Sequence, residues 1–134
     1  MIEMRQDPTT HTWILVGHTG GDPGHREAPD GCPFCPGREA ETPPAVAVIP
    51  GPDGAWRGRA FPDKMPVFQV EGDLGREGEG LYDRMRNVGA HEVVVETPEH
   101  ATTLAGLAVE DVARVLQMFR QRIQDLKKDI RFRY

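Results

Sequence analysis

The chain has 134 residues, of which 38% are hydrophobic and 28% charged, and its formal net charge is −5. That length holds one small domain and little more. An acidic chain with no basic run is a poor general binder of nucleic acid, and no apolar stretch approaches the ~20 residues of a membrane-spanning helix. The N-terminal MIEMRQDPTT lacks the apolar core of a secretion signal. The expectation is therefore a cytoplasmic protein with neither nucleic-acid nor membrane partners.

Twelve Pro and fifteen Gly are a heavy load, and most precede residue 82, so irregular extended structure is expected first and regular structure later. Trp13-Ile14-Leu15-Val16, bounded by Pro8 and Gly17, reads as one buried strand. A polar loop with His18, His25 and Arg26 follows, then CPFCPG over 32–37, where Pro33 and Pro36 stiffen the backbone. Ala45–Ile49 is a second short strand, and Trp56–Phe61 a third. Residues 71–80, rich in Gly and Glu, read as a mobile stretch. HEVVVET after Gly89 carries the strongest strand signal, a β-branched run ended by Pro98.

The spacing predicts a helix over Val109–Lys128. Val109, Val112, Ala113, Leu116, Phe119, Ile123 and Leu126 recur at three- and four-residue steps as one apolar stripe. Glu110 and Asp111 suit the positive end of such a helix, and Lys127 and Lys128 the negative end. Ile130, Phe132 and Tyr134 alternate with Arg131 and Arg133, which predicts a strand just beginning where the sequence stops. Domains seldom end so, and the expectation is a piece of a longer domain, the alternative being a frayed C-terminal strand at a sheet edge.

Cys32 and Cys35 in CPFC admit three readings: a redox dithiol, half of a zinc site, or an incidental pair. A redox CxxC usually opens a helix, which lowers the thiol pKa. Here Pro36-Gly37 follows at once, with no helix-period pattern behind it. Two thiolates on a tight turn reach one tetrahedral ion, so the zinc half-site fits better. His11, His18, His25 and His91 read as ordinary polar or surface residues. His100 begins a loop after a strand and a proline, in TPEH.

Four segments in order, RQDPTTHTWILV, CPFCPG, RAFPDKMPVF and GAHEVVVETPEH, resemble the N-terminal half of galactose-1-phosphate uridylyltransferases and of the related ADP-glucose phosphorylases, nucleotidyl transferases of the histidine-triad superfamily. CPFCPG with G-x-H-E-V-x-x-E-x-P-x-H at this spacing is specific; either motif alone is weak. The resemblance implies a structural zinc held by Cys32, Cys35 and His100, with a fourth ligand from a later His-x-His segment. It also implies that RAFPDKMP lines a nucleotide pocket, with Phe61, Asp63 and Lys64 as substrate-binding residues. Asp63 stands where many members have Asn, and a carboxylate accepts but cannot donate as an amide does.

The resemblance further implies the reaction. A histidine attacks the α-phosphorus of UDP-glucose, releases glucose 1-phosphate, and passes the nucleotidyl group to a second hexose 1-phosphate. Imidazole suits this because it is nucleophilic when neutral and leaves well when protonated. This sequence contains no His-x-His, so no catalytic residue is assigned in it, and the nucleophile is expected beyond Tyr134. The chain reads as one partial α+β domain over 1–134, an antiparallel sheet carrying one long helix. As a fragment it is expected to be inactive alone, and to be a homo-oligomer or the complement of a C-terminal half. Two alternatives stand beside the uridylyltransferase: an ADP-glucose phosphorylase-like enzyme, and a non-catalytic zinc module.

Overall fold

A computed structural model of the chain describes residues 2–17 and 31–132. The expectations that fall on His18, His25, Arg26, Arg133 and Tyr134 lie outside the described residues. Among the described residues, seven strands and one α-helix fall into two compact units.

The first unit holds β1 (Ile2–Gln6), β2 (Trp13–Gly17), β5 (Glu77–Glu79) and β6 (Tyr82–Arg86), in an antiparallel sheet of order β2-β1-β6-β5. The β1–β2 hairpin turns at Asp7, whose carboxylate accepts from the Thr9 and Thr10 backbone N–H groups at 2.7 and 3.2 Å. Those bonds hold the Asp7 carboxyl below its usual range, the Thr9 hydroxyl contributing most. The expected strand at Trp13–Val16 is present but not buried. It is an edge strand, and Ile14 remains 51% exposed. Residues 77–79 form a strand where a mobile stretch was expected. Its partner pairs Arg84 Nη2 with Glu77 Oε2 at 2.8 Å, a cross-strand ion pair that apolar periodicity does not register.

The second unit holds β3 (Ala47–Pro50), β4 (Trp56–Pro62), β7 (Glu92–Val95) and α1 (Val109–Leu126). Its sheet is antiparallel with β4 in the centre. Gly58 sits at the middle of β4, where an added Cβ would meet Ile49 Cδ1 at 3.0 Å and the Val95 carbonyl at 3.3 Å. The helix closes the core over this sheet: Met118 packs with Ala47 and Ala60, and Ile49 and Val94 flank them. The fold is α+β, as expected, with two antiparallel sheets rather than one.

The helix turns a different face inward from the one its apolar spacing indicates. Val115 and Met118 are buried and Val112, Phe119 and Leu126 of the expected stripe are half-buried, whereas Leu116, Ile123 and Val109 are exposed. An ion pair accounts for this setting. Arg122 Nε and Nη2 donate to the two Glu92 carboxylate oxygens on β7 at 2.8 and 2.7 Å, and side chains at 115, 118 and 122 share one helix face. A bidentate bond with both partners mostly buried fixes rotation about the helix axis more tightly than loose apolar contacts do.

The expected strand from Ile130 is absent over 130–132. Asp129 Oδ1 accepts the Arg131 backbone N–H at 3.0 Å, and the Phe132 N–H returns to the Asp129 carbonyl at 3.0 Å. This local capping closes a turn in competition with extended structure. No helix among the described residues is long and apolar enough to cross a membrane.

Candidate metal centre

CPFCPG folds as successive tight turns. The Cys35 N–H reaches the Cys32 carbonyl, and the Arg38 N–H the Cys35 carbonyl, both at 3.3 Å. Gly37 takes φ +85°, a left-handed conformation that glycine adopts without steric cost. Only after this turn does a short 3-10 helix begin, at Glu39–Glu41. The cysteines therefore do not open an α-helix, and the electrostatic feature that activates a redox dithiol is missing.

His100 arrives from the other direction. Strand β7 is hydrogen-bonded to β4, Pro98 ends the extended run, and the Glu99 N–H donates to Thr97 Oγ1 at 3.2 Å in the turn that delivers His100. The two turns converge: Cys35 Sγ lies 3.3 Å from His100 Nδ1, and the ligand atoms of Cys32, Cys35 and His100 all lie within 4.8 Å of one another.

These donors suit a tetrahedral thiolate–imidazole ion, whose bond lengths set S···S near about 3.8 Å and S···N near about 3.6 Å. Both cysteines are free and half-buried. Burial pushes the Cys35 thiol pKa up, and the neighbouring Cys32 adds to this, while Arg38 opposes it. A divalent cation among these groups would invert that balance, because a coordinating thiol loses its proton. Three donors leave one tetrahedral position for a further ligand.

The turn is seated on β4. Phe34 stacks on Phe61 with ring centroids 6.1 Å apart and planes at 29°. Arg59, two residues before Phe61 and on the same face, is 3% exposed, the one buried charged residue among those described. Its guanidinium lies 5.2 Å from the Trp56 ring centroid and 4.9 Å from that of Phe61. Nη1 donates to Thr42 Oγ1 at 2.7 Å, and Nη2 to the Phe34 and Pro33 carbonyls at 3.4 and 3.5 Å. Nε is buried with no hydrogen-bond partner among the described residues. Trp56 Nε1 donates to Glu39 Oε1 at 2.6 Å, and the same oxygen accepts the Gly37 N–H at 3.1 Å. The indole bond is the chief reason the Glu39 carboxyl sits below its usual range.

Cys32, Cys35 and His100 are thus brought together. Of the expected substrate-binding residues, Phe61 is packed inside, Asp63 is half-buried just past β4, and Lys64 is exposed. His91 is used elsewhere, with Nδ1 accepting the Val67 N–H at 3.3 Å, and His11 lies exposed in the hairpin turn. Sequence reasoning missed Arg59 and its neighbours Trp56, Glu39 and Thr42. The available signal was Arg59 at two-residue spacing from Phe61 within a strand.

The second unit is an α+β element that sets a Cys–Cys–His cluster of metal-ligating type on one strand platform. No protein-family model matches the chain. It is similar to an ADP-glucose phosphorylase of Arabidopsis thaliana, 25% identical over an alignment 136 residues long that covers 92% of this chain and 39% of that protein. It is similar also to a galactose-1-phosphate uridylyltransferase of Thermotoga maritima, 23% identical over 129 residues, covering 96% of this chain and 37% of that protein. A solved uridylyltransferase structure superimposes with TM-score 0.65 at 27% identity, over 95% of this chain and 36% of its own. The resemblance to galactose-1-phosphate uridylyltransferases and ADP-glucose phosphorylases is therefore present in sequence and in fold. The chain spans about two fifths of the length of the curated relatives it matches.

Proposed function

We propose that this chain forms the metal-stabilised part of a hexose-1-phosphate nucleotidylyltransferase, with zinc held by Cys32, Cys35 and His100 and a fourth ligand from outside these residues. The observation that carries this reading is the convergence of those three donors within 4.8 Å in a chain similar to two nucleotide-sugar enzymes. Zinc would supply structure here, fastening the CPFC turn to the end of β7. The chain's own residues do the rest of the positioning: Arg122 and Glu92 lock the helix to β7, and the sheet fixes where the turns meet.

Under this reading the substrates are a nucleotide sugar such as UDP-glucose and a hexose 1-phosphate. Phe61 buttresses the segment leading to Asp63 and Lys64, which face the nucleotide. The nucleophilic imidazole comes from a His-x-His segment outside these 134 residues, since this sequence contains no such motif and a zinc-bound His100 has committed its lone pair to the metal. Adenine-nucleotide substrates are the second reading, favoured by the similarity to an ADP-glucose phosphorylase across most of the chain and by Asp63 in place of an amide. The exposed edge strand β2, with Ile14, Leu15 and Val16 open to solvent, suits association with a second copy or a C-terminal half.

The test is incubation with UDP-glucose and ADP-glucose labelled at the α-phosphorus, followed by intact-mass measurement. The chain alone should form no nucleotidyl adduct. The chain extended through a His-x-His segment should form one, with the better substrate identifying the base. An adduct on His11, His18, His25 or His91 of the chain alone overturns the placement of the nucleophile. An extended chain inert toward both substrates leaves the non-catalytic zinc module in its place.

A further inference from the structure

We propose that Arg59 is a positioning residue for the metal centre, presetting the Cys32–Cys35 turn through its backbone. The inference rests on reading Cys32, Cys35 and His100 as metal ligands. No metal-ligating atom belongs to Arg59, yet its fork holds the loop between the two cysteines. Nη2 donates to the carbonyls of Pro33 and Phe34, the two residues that separate Cys32 from Cys35, while Nη1 is anchored on Thr42 Oγ1 beyond the loop.

The opposite end of the turn is held by the same assembly. Trp56, one of the two rings against the guanidinium, donates to Glu39, and Glu39 accepts the Gly37 N–H. One buried cation and one carboxylate, linked through a shared aromatic ring, thus restrain the metal loop on both sides of Cys35. A loop already in its bound conformation loses less conformational freedom on binding, which raises affinity without adding a ligand.

A lysine could not reproduce this arrangement. Its ammonium is a compact point charge on a flexible stem, without the planar fork that reaches separated acceptors while lying against rings. Burying a guanidinium whose Nε has no partner among the described residues is costly and needs a return. Holding Pro33 and Phe34 is the return that the geometry offers, since both carbonyls belong to the residues inside CPFC.

The experiment measures zinc affinity by chelator competition, and the cobalt(II) spectrum, for the unsubstituted chain and for Arg59→Lys. Unfolding of the metal-free chains is followed in parallel. Arg59→Lys should bind zinc about 10- to 100-fold more weakly, the range for loss of an outer-shell partner, with unchanged stoichiometry and the thiolate-to-cobalt band retained. A role confined to packing would lower the unfolding midpoint with and without metal alike and leave the affinity unchanged; that result overturns the proposal. Should Arg59→Lys fail to fold, Thr42→Val removes the Nη1 acceptor and should still weaken zinc binding several-fold, and unaltered affinity there also overturns it. An unsubstituted chain that binds neither zinc nor cobalt removes the metal reading itself, and the proposal falls with it. A chain that binds both, with affinity indifferent to Arg59 and Thr42, leaves the metal reading standing and refutes only the positioning role.

Discussion

Cys35 Sγ and His100 Nδ1 lie 3.3 Å apart across 65 residues of sequence. A metal ion joining them closes a long loop and ties the CPFC turn to the end of β7. Its binding free energy then adds to folding free energy, because the site does not persist in the unfolded chain. Chelation should lower the thermal midpoint of the chain. Cys35→Ser should lower it to a similar degree and make it insensitive to chelator. A midpoint equal with and without chelator, in a chain shown to carry metal, would contradict this coupling.

The Arg122–Glu92 pair should behave as a helix lock. Both side chains are mostly withdrawn from water, at 12% and 14% exposure, and Glu92 is the main reason the Arg122 pKa is raised. Arg122→Met leaves the carboxylate uncompensated and should cost about 3 kcal/mol, the lower edge of the range for broken buried pairs because some solvent reaches it. Adding Glu92→Gln should recover part of that loss. Urea denaturation of the two single variants and the double variant gives the coupling, and additive losses would show that the pair does not act as a unit.

Acid should release the C-terminal turn at an unusually low pH. The Arg131 side chain first, and its backbone N–H second, hold the Asp129 carboxyl down to about 2, against an ordinary 3.8. A depressed carboxyl favours the folded turn above the ordinary value, and that contribution disappears as pH falls through about 2. Carboxyl-carbon NMR titration should show Asp129 titrating near the lower figure, and Arg131→Gln should return it toward the ordinary one. Titration near 3.8 in the unsubstituted chain would refute the interaction.

Much of the second unit was legible from residues alone. β-branched runs marked β7, Pro98 marked its end, and three- and four-residue spacing marked α1. The helix face was misjudged because Leu116 and Ile123 satisfy an apolar stripe as well as Val115 and Met118 do. The deciding contact is polar, from Arg122 to Glu92 thirty residues earlier, and lies outside what hydrophobic periodicity can express. β1, β5 and β6 escaped for a related reason, since cross-strand charges such as Glu77–Arg84 help hold their sheet. The tail read as a strand from alternation, but Asp129 supplied a local cap. The cysteine pair was visible from spacing, whereas attaching His100 to it required the family resemblance. Arg59 was overlooked because a buried charge within a strand is uncommon.

The most direct test of the central claim is the metal content of chain purified without chelator, determined by elemental analysis alongside cobalt(II) substitution. The account predicts one zinc per chain, a thiolate-to-metal band in the cobalt form, and loss of both in Cys32→Ser, Cys35→Ser and His100→Ala. Zinc near zero, with Cys32 and Cys35 bonded to each other, would contradict it.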